Sequence, residues 1–145
     1  MKDKLLMIRA FYIFVGVLLW GTYFLPIHSF YKIFRLQITD LGGFYNDAGI
    51  QLGFIISIFL TIVSIWLSPK YFKNKIYKII IIAVYMLFYI ATCIGIGWDH
   101  RANFGTTWLY SEIFPELIKS HWYFYVIGLL GLYFNYKFQE LLFKK

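Results

Sequence analysis

Residues 69–101 constrain the chain more than any other stretch. Lys70, Lys73, Lys75 and Lys78 precede twenty positions, residues 79–98, that carry no charge, and Asp99, His100 and Arg101 follow directly. At about 1.5 Å of rise per residue, such a run makes about 30 Å of helix, which matches the hydrocarbon core of a bilayer. The stretch therefore reads as one complete membrane crossing with both ends marked by charge.

The rest of the chain repeats this pattern. Of its 145 residues 61% are hydrophobic, well above the usual composition of a soluble domain of this size. Its 14 basic and 7 acidic residues leave a net charge of +7. In a soluble protein that excess would suggest nucleic acid as a partner. Here the basic residues bracket apolar spans and form no stripe interleaved with aromatics, so no nucleic-acid role is expected. Cys93 is the only cysteine and lies in an apolar run, which excludes an intramolecular disulfide or a zinc ribbon.

The spans are expected at 5–25, 48–67, 78–98 and 121–137, in one integral membrane domain covering residues 1–145. The first begins with Lys2 and Lys4, but its apolar part is too long and too aromatic for a cleaved leader. Arg9 lies one turn inside it, near enough to the end for its stem to carry the charge back to the surface. Between the first two spans, Ile27, Phe30, Tyr31, Phe34, Ile38 and Leu41 recur at helical spacing, as in a helix lying in the membrane interface. Gly42 and Gly43 end that segment, Asn46 and Asp47 are placed to cap the second span, and Pro69 closes it. A second partly apolar loop, residues 99–120, contains Trp108 and surrounds Pro115. The expected fold is thus all-α: a four-helix transmembrane bundle with two partly apolar outer loops containing short interfacial helices.

Orientation follows from the lysines and arginines. Ten fall on one side of these spans and four on the other, while acidic residues divide two to five, leaving +8 on the first side and −1 on the second. The positive-inside rule makes the +8 side cytoplasmic, with both ends of the chain inside, as in a bacterial inner membrane.

The second span carries the most specific pattern. Gly49, Gly53, Ser57 and Thr61 recur every fourth residue, which lets a neighbouring helix approach closely and hydrogen-bond across the contact. That neighbour is expected within the chain, with a second copy as the alternative.

Reactive groups are scarce inside the spans. Proton relays and ion-coupled carriers need ionisable side chains at the membrane interior, and a transmembrane haem needs histidines there. His28, His100 and His121 all fall on the expected outer side. If a catalytic site exists, Asp99, His100 and His121 are its candidates, with Arg101, Trp98 and Trp108 as binding residues around the last outer loop. No two histidines have the spacing of a metal site, so no metal and no cofactor is expected.

Three functions remain. The favoured one is a non-enzymatic membrane protein that binds another membrane component, as an accessory subunit or an immunity-type protein does. Its partners would be membrane lipids and a membrane protein, or further copies of itself. The second is an enzyme at the outer interface acting on a lipid or lipid-linked substrate. The third is a homo-oligomeric pore built through the Gly49 to Thr61 face.

Overall fold

A computed structural model of the chain describes the backbone of residues 2–27, 43–104, 111 and 122–144, and the side chains of residues 7–27, 50–95, 111 and 122–144. Among these residues the regular elements are all helical. Four long helices follow one another: α1 (Lys2–Trp20), α2 (Gly43–Tyr71), α3 (Lys75–Phe104) and α4 (Trp122–Phe143), with a 3-10 turn, Gly21–Tyr23, extending α1. Among the described residues two segments, Ile50–Tyr71 on α2 and Lys75–Gly95 on α3, are long and apolar enough to cross a membrane; Met7–Tyr23 is apolar but shorter, and α4, expected as a fourth crossing, is not among them.

The helix ends differ from the expected spans in ways that have local causes. Helix α1 stops at Trp20, where the Phe24 N–H closes a tighter turn onto the Gly21 carbonyl at 3.0 Å. Helix α2 starts at Gly43, so Asn46 and Asp47 lie within it and do not cap it. It also continues through Pro69, because a proline in the last turn forfeits only one helical bond. Helix α3 runs past Trp98 to Phe104, and α4 past residue 137 to Phe143. The two expected interfacial helices fall largely outside the described residues.

Helix α4 is the element that the others share. It touches α1, α2 and α3, while α1 also lies along α2, and the 3-10 turn is wedged among all four. Each helix turns one stripe inward. On α2 it is Gly53, Ser57, Leu60, Thr61, Ser64 and Ser68; on α3 it is Ile81, Tyr85, Tyr89 and Cys93, spaced four apart. On α4 it is Phe124, Gly128, Gly131, Asn135, Gln139 and Leu142.

These stripes interlock by setting large side chains onto glycines. The Tyr89 ring fills the place over Gly128, where a Cβ would lie 2.6 Å from it, and the Phe24 ring covers Gly53 at 2.7 Å. The Tyr85 hydroxyl and Thr22 occupy the space over Gly131, and Thr61 and Phe138 that over Gly16. Close approach of this kind brings the helices into tight van der Waals contact, which would matter most in a bilayer, where lipid tails are as apolar as leucine. Helix contacts in a bilayer therefore depend on van der Waals fit and internal hydrogen bonds, with little help from the hydrophobic effect.

The interior mixes an aromatic and aliphatic core, including Trp20, Tyr85, Phe124 and Phe138, with a minority of polar side chains, and large apolar side chains also cover the outside. Ser57, Thr61, Ser64, Ser68, Asn135 and Gln139 are buried, whereas Phe11, Phe14, Ile55, Phe59, Trp66, Leu87, Leu129 and Leu141 are exposed. Water would penalise that outer surface heavily, and contiguous apolar surface of this kind is rare on soluble monomers.

Candidate functional site

The polar interior converges on one clasp at the lysine-rich end. The Trp20 indole N–H donates to the Ser64 hydroxyl oxygen at 2.9 Å, and the Gln139 amide N–H donates to the same oxygen at 2.7 Å. The Ser68 hydroxyl donates to Gln139 Oε1. Since that spends its only proton, the Tyr77 hydroxyl, 3.0 Å away, must donate to Ser68 Oγ. The Gln139 amide also reaches Asn135 Oδ1 at 3.5 Å. One cluster therefore ties α1, α2, α3 and α4 together, with Gln139 at its centre. The Asn135 Nδ2 atom is fully enclosed and has no hydrogen-bond partner.

Further along the helices the polar contacts form smaller groups. Thr22 donates to the Leu19 carbonyl at 2.5 Å, which leaves its oxygen to accept from the Tyr85 hydroxyl at 3.2 Å. Tyr23 donates to the Gly53 carbonyl at 3.3 Å, Ser57 donates to the same carbonyl at 2.8 Å, and Tyr89 donates to the carbonyl of Phe124. Every one of these groups is an alcohol, phenol, indole or amide. The Thr22–Tyr85, Tyr23–Gly53 and Tyr89–Phe124 contacts join separate elements, whereas Ser57–Gly53 and Thr22–Leu19 are local.

Beyond the clasp, the connection between α2 and α3 is a tight hairpin. Asn74 takes the cap position of α3, its Oδ1 accepting from the Ile76 N–H at 2.9 Å, while its own N–H donates to the Tyr71 carbonyl at 2.8 Å. Phe72 is buried and anchors the hairpin, with its ring 5.3 Å from that of Tyr136 and 6.0 Å from that of Phe143. Three lysines lie over rings here: Lys70 over Trp66 at 5.0 Å, Lys73 over Phe143 at 5.6 Å and Lys78 over Phe72 at 5.0 Å. Glu140 is held by Lys137 at 2.9 Å and Lys144 at 3.0 Å, and these two partners draw its carboxyl down to about 2.

The expected site residues are placed as follows. Trp98, Asp99, His100 and Arg101 sit as consecutive residues near the end of α3, on the helix and not in a loop. Trp108 and His121 lie outside the described residues, as does any approach of His121 to Asp99. Among the described residues no group of three or more histidine, cysteine, aspartate or glutamate side chains could hold a metal ion. Gly49 is on α2. Gly53, Ser57 and Thr61 meet Phe24, Gly21 and Gly16 of the first helical segment, so a second copy would have to displace α1 to reach that face.

Asn135, two residues inside the expected end of the fourth span, and Gln139, two beyond it, are not among the site residues expected from the sequence. A signal for them was present: Gly128, Gly131, Asn135 and Gln139 share one helical stripe in an otherwise apolar segment. Polar amides on the same stripe as glycines mark a helix face turned toward protein. No family model, no curated protein and no solved structure matches this chain.

Proposed function

We propose that the chain is an integral membrane protein whose four helices form a transmembrane bundle, with both ends cytoplasmic, in a bacterial inner membrane. It acts there by binding another membrane component and not by catalysis. The observation that carries this reading is a buried polar cluster centred on Gln139 within a bundle whose outside is covered by large apolar side chains. Interior polar groups committed to holding helices together leave the outer surfaces as the places where the protein meets other molecules. The lysine-rich hairpin and the opposite, less basic end fit an orientation with the hairpin inside.

Reporter fusions after residues 74 and 145, with a third in residues 105–121, test the topology: the first two should report cytoplasm and the third the far side. Purification in gentle detergent followed by native mass spectrometry tests the binding role, with a membrane component expected to co-purify. A bare monomer that captures nothing from its native membrane, yet turns over a lipid substrate, would sink it.

A further inference from the structure

We infer that the hairpin between α2 and α3 is a seat for the phosphate groups of anionic phospholipids in the facing leaflet. The inference rests on the membrane-spanning reading and adds to it a particular surface and a particular ligand class. Four lysines, Lys70, Lys73, Lys75 and Lys78, fall within nine residues, and the tight turn at Asn74 brings the two halves of that run to one end of the molecule.

The structure adds what the sequence count lacks. Lys70, Lys73 and Lys78 each extend over an aromatic ring, so their ammonium groups are steadied while their N–H donors stay open to an acceptor. Trp66, beneath Lys70, is 66% exposed on the outer surface, and an exposed tryptophan with an ammonium over it is the pairing expected at the level of lipid headgroups. The one carboxylate among the described side chains, Glu140, is already engaged by Lys137 and Lys144. The four hairpin lysines therefore have no carboxylate partner among the described residues, and their charge is open to an external anion. An anionic lipid supplies that anion on the same surface as acyl chains that cover Trp66; an acidic protein segment supplies only the charge.

The test uses the full chain in detergent, offered phosphatidylglycerol and phosphatidylcholine with identical acyl chains, with retained lipid read by native mass spectrometry. Alkaline washing of the source membranes comes first. Recovery of the chain in the wash would overturn the membrane-spanning reading and this inference with it. For a membrane-embedded chain, each lysine near an anionic surface is worth about fivefold in binding, so a preference of about tenfold or more for phosphatidylglycerol is expected. It should fall steeply between about 50 mM and about 500 mM salt.

Replacing the four lysines by glutamine (K70Q, K73Q, K75Q and K78Q together) should abolish the preference. The four corresponding arginine substitutions should keep it, and K137Q, E140Q and K144Q together, which remove the ion-pair group without freeing its carboxylate, should leave it within about twofold. Circular dichroism checks that each variant keeps its helix. Equal retention of the two lipids by the natural chain overturns the inference and leaves the membrane-spanning reading intact. So does a preference that persists in the glutamine variant, or one erased by inorganic phosphate or by an acidic peptide at matched ionic strength.

Discussion

Replacing Gln139 by methionine tests the clasp directly. Methionine is close to glutamine in length and volume, so the change removes hydrogen bonds without opening a large cavity. Two bonds disappear, the one to Ser64 at 2.7 Å and the one accepted from Ser68, along with the long contact to Asn135. Interhelical hydrogen bonds in membranes are worth about 0.6 to 2 kcal/mol each, the lower figure reflecting partners found in the unfolded state within the membrane. Ser64 keeps the Trp20 donor, and Ser68 can turn its proton back to its own helix, so neither is stranded. The expected loss is about 1 to 3 kcal/mol. Reversible unfolding in mixed micelles, followed by tryptophan fluorescence and far-ultraviolet circular dichroism, measures it. Pairing the change with Ser68→Ala in a double-mutant cycle should give a coupling of about 0.5 kcal/mol or more. A neutral Q139M variant, or a coupling of zero with both single changes destabilising, would refute the clasp as an energetic element. Leu141→Ala on the exposed face of the same helix should cost much less.

Other expectations follow from the same contacts. Gly131→Ala places a methyl against the Tyr85 hydroxyl and Thr22, so it should lower the thermal midpoint by an amount equivalent to about 1 to 3 kcal/mol; adding Tyr85→Phe should recover part of the loss. Trp20→Phe removes one donor from Ser64 and should cost about 1 kcal/mol in the unfolding assay, with Gln139 still holding that oxygen. Glu140 has a folded carboxyl pKa lowered to about 2, so its ion pairs stabilise the fold above the ordinary glutamate value near about 4.3; that contribution fades as pH falls toward about 2, and Glu140→Gln should remove this part of the acid sensitivity. Cys93 is buried, so maleimide should label it slowly in the folded protein and rapidly after unfolding.

Much of the helix layout is legible from local pattern alone. The uncharged run in α3 and the fourfold repeat of small residues in α2 are properties of neighbouring residues, and the backbone reads them within a few turns. Helix ends are harder, because Pro69 and the Asn46–Asp47 pair signal boundaries that the surrounding helix overrides. Asp99, His100 and Arg101 show the same effect: charge suggests an exit from the helix, yet the backbone bonds continue to Phe104. The site itself was the least legible part. Trp20 and Ser64 are 44 residues apart, and Gln139 and Ser64 are 75 apart, so no periodicity within one segment can pair them.

The sequence by itself determined that this chain is helical and apolar in long runs, that its charge gathers at one end of those runs, and that α2 has a face suited to close contact. Only the tertiary structure decided that α1 fills that face, that α4 touches every other described helix, and that Lys73 and Lys78 lie over rings of α4 and of the hairpin turn. The physical reason is the range of the forces involved. Hydropathy and helical period act between residues a few positions apart, whereas shape fit and hydrogen-bond partnership are settled among side chains that meet only once the helices have come together.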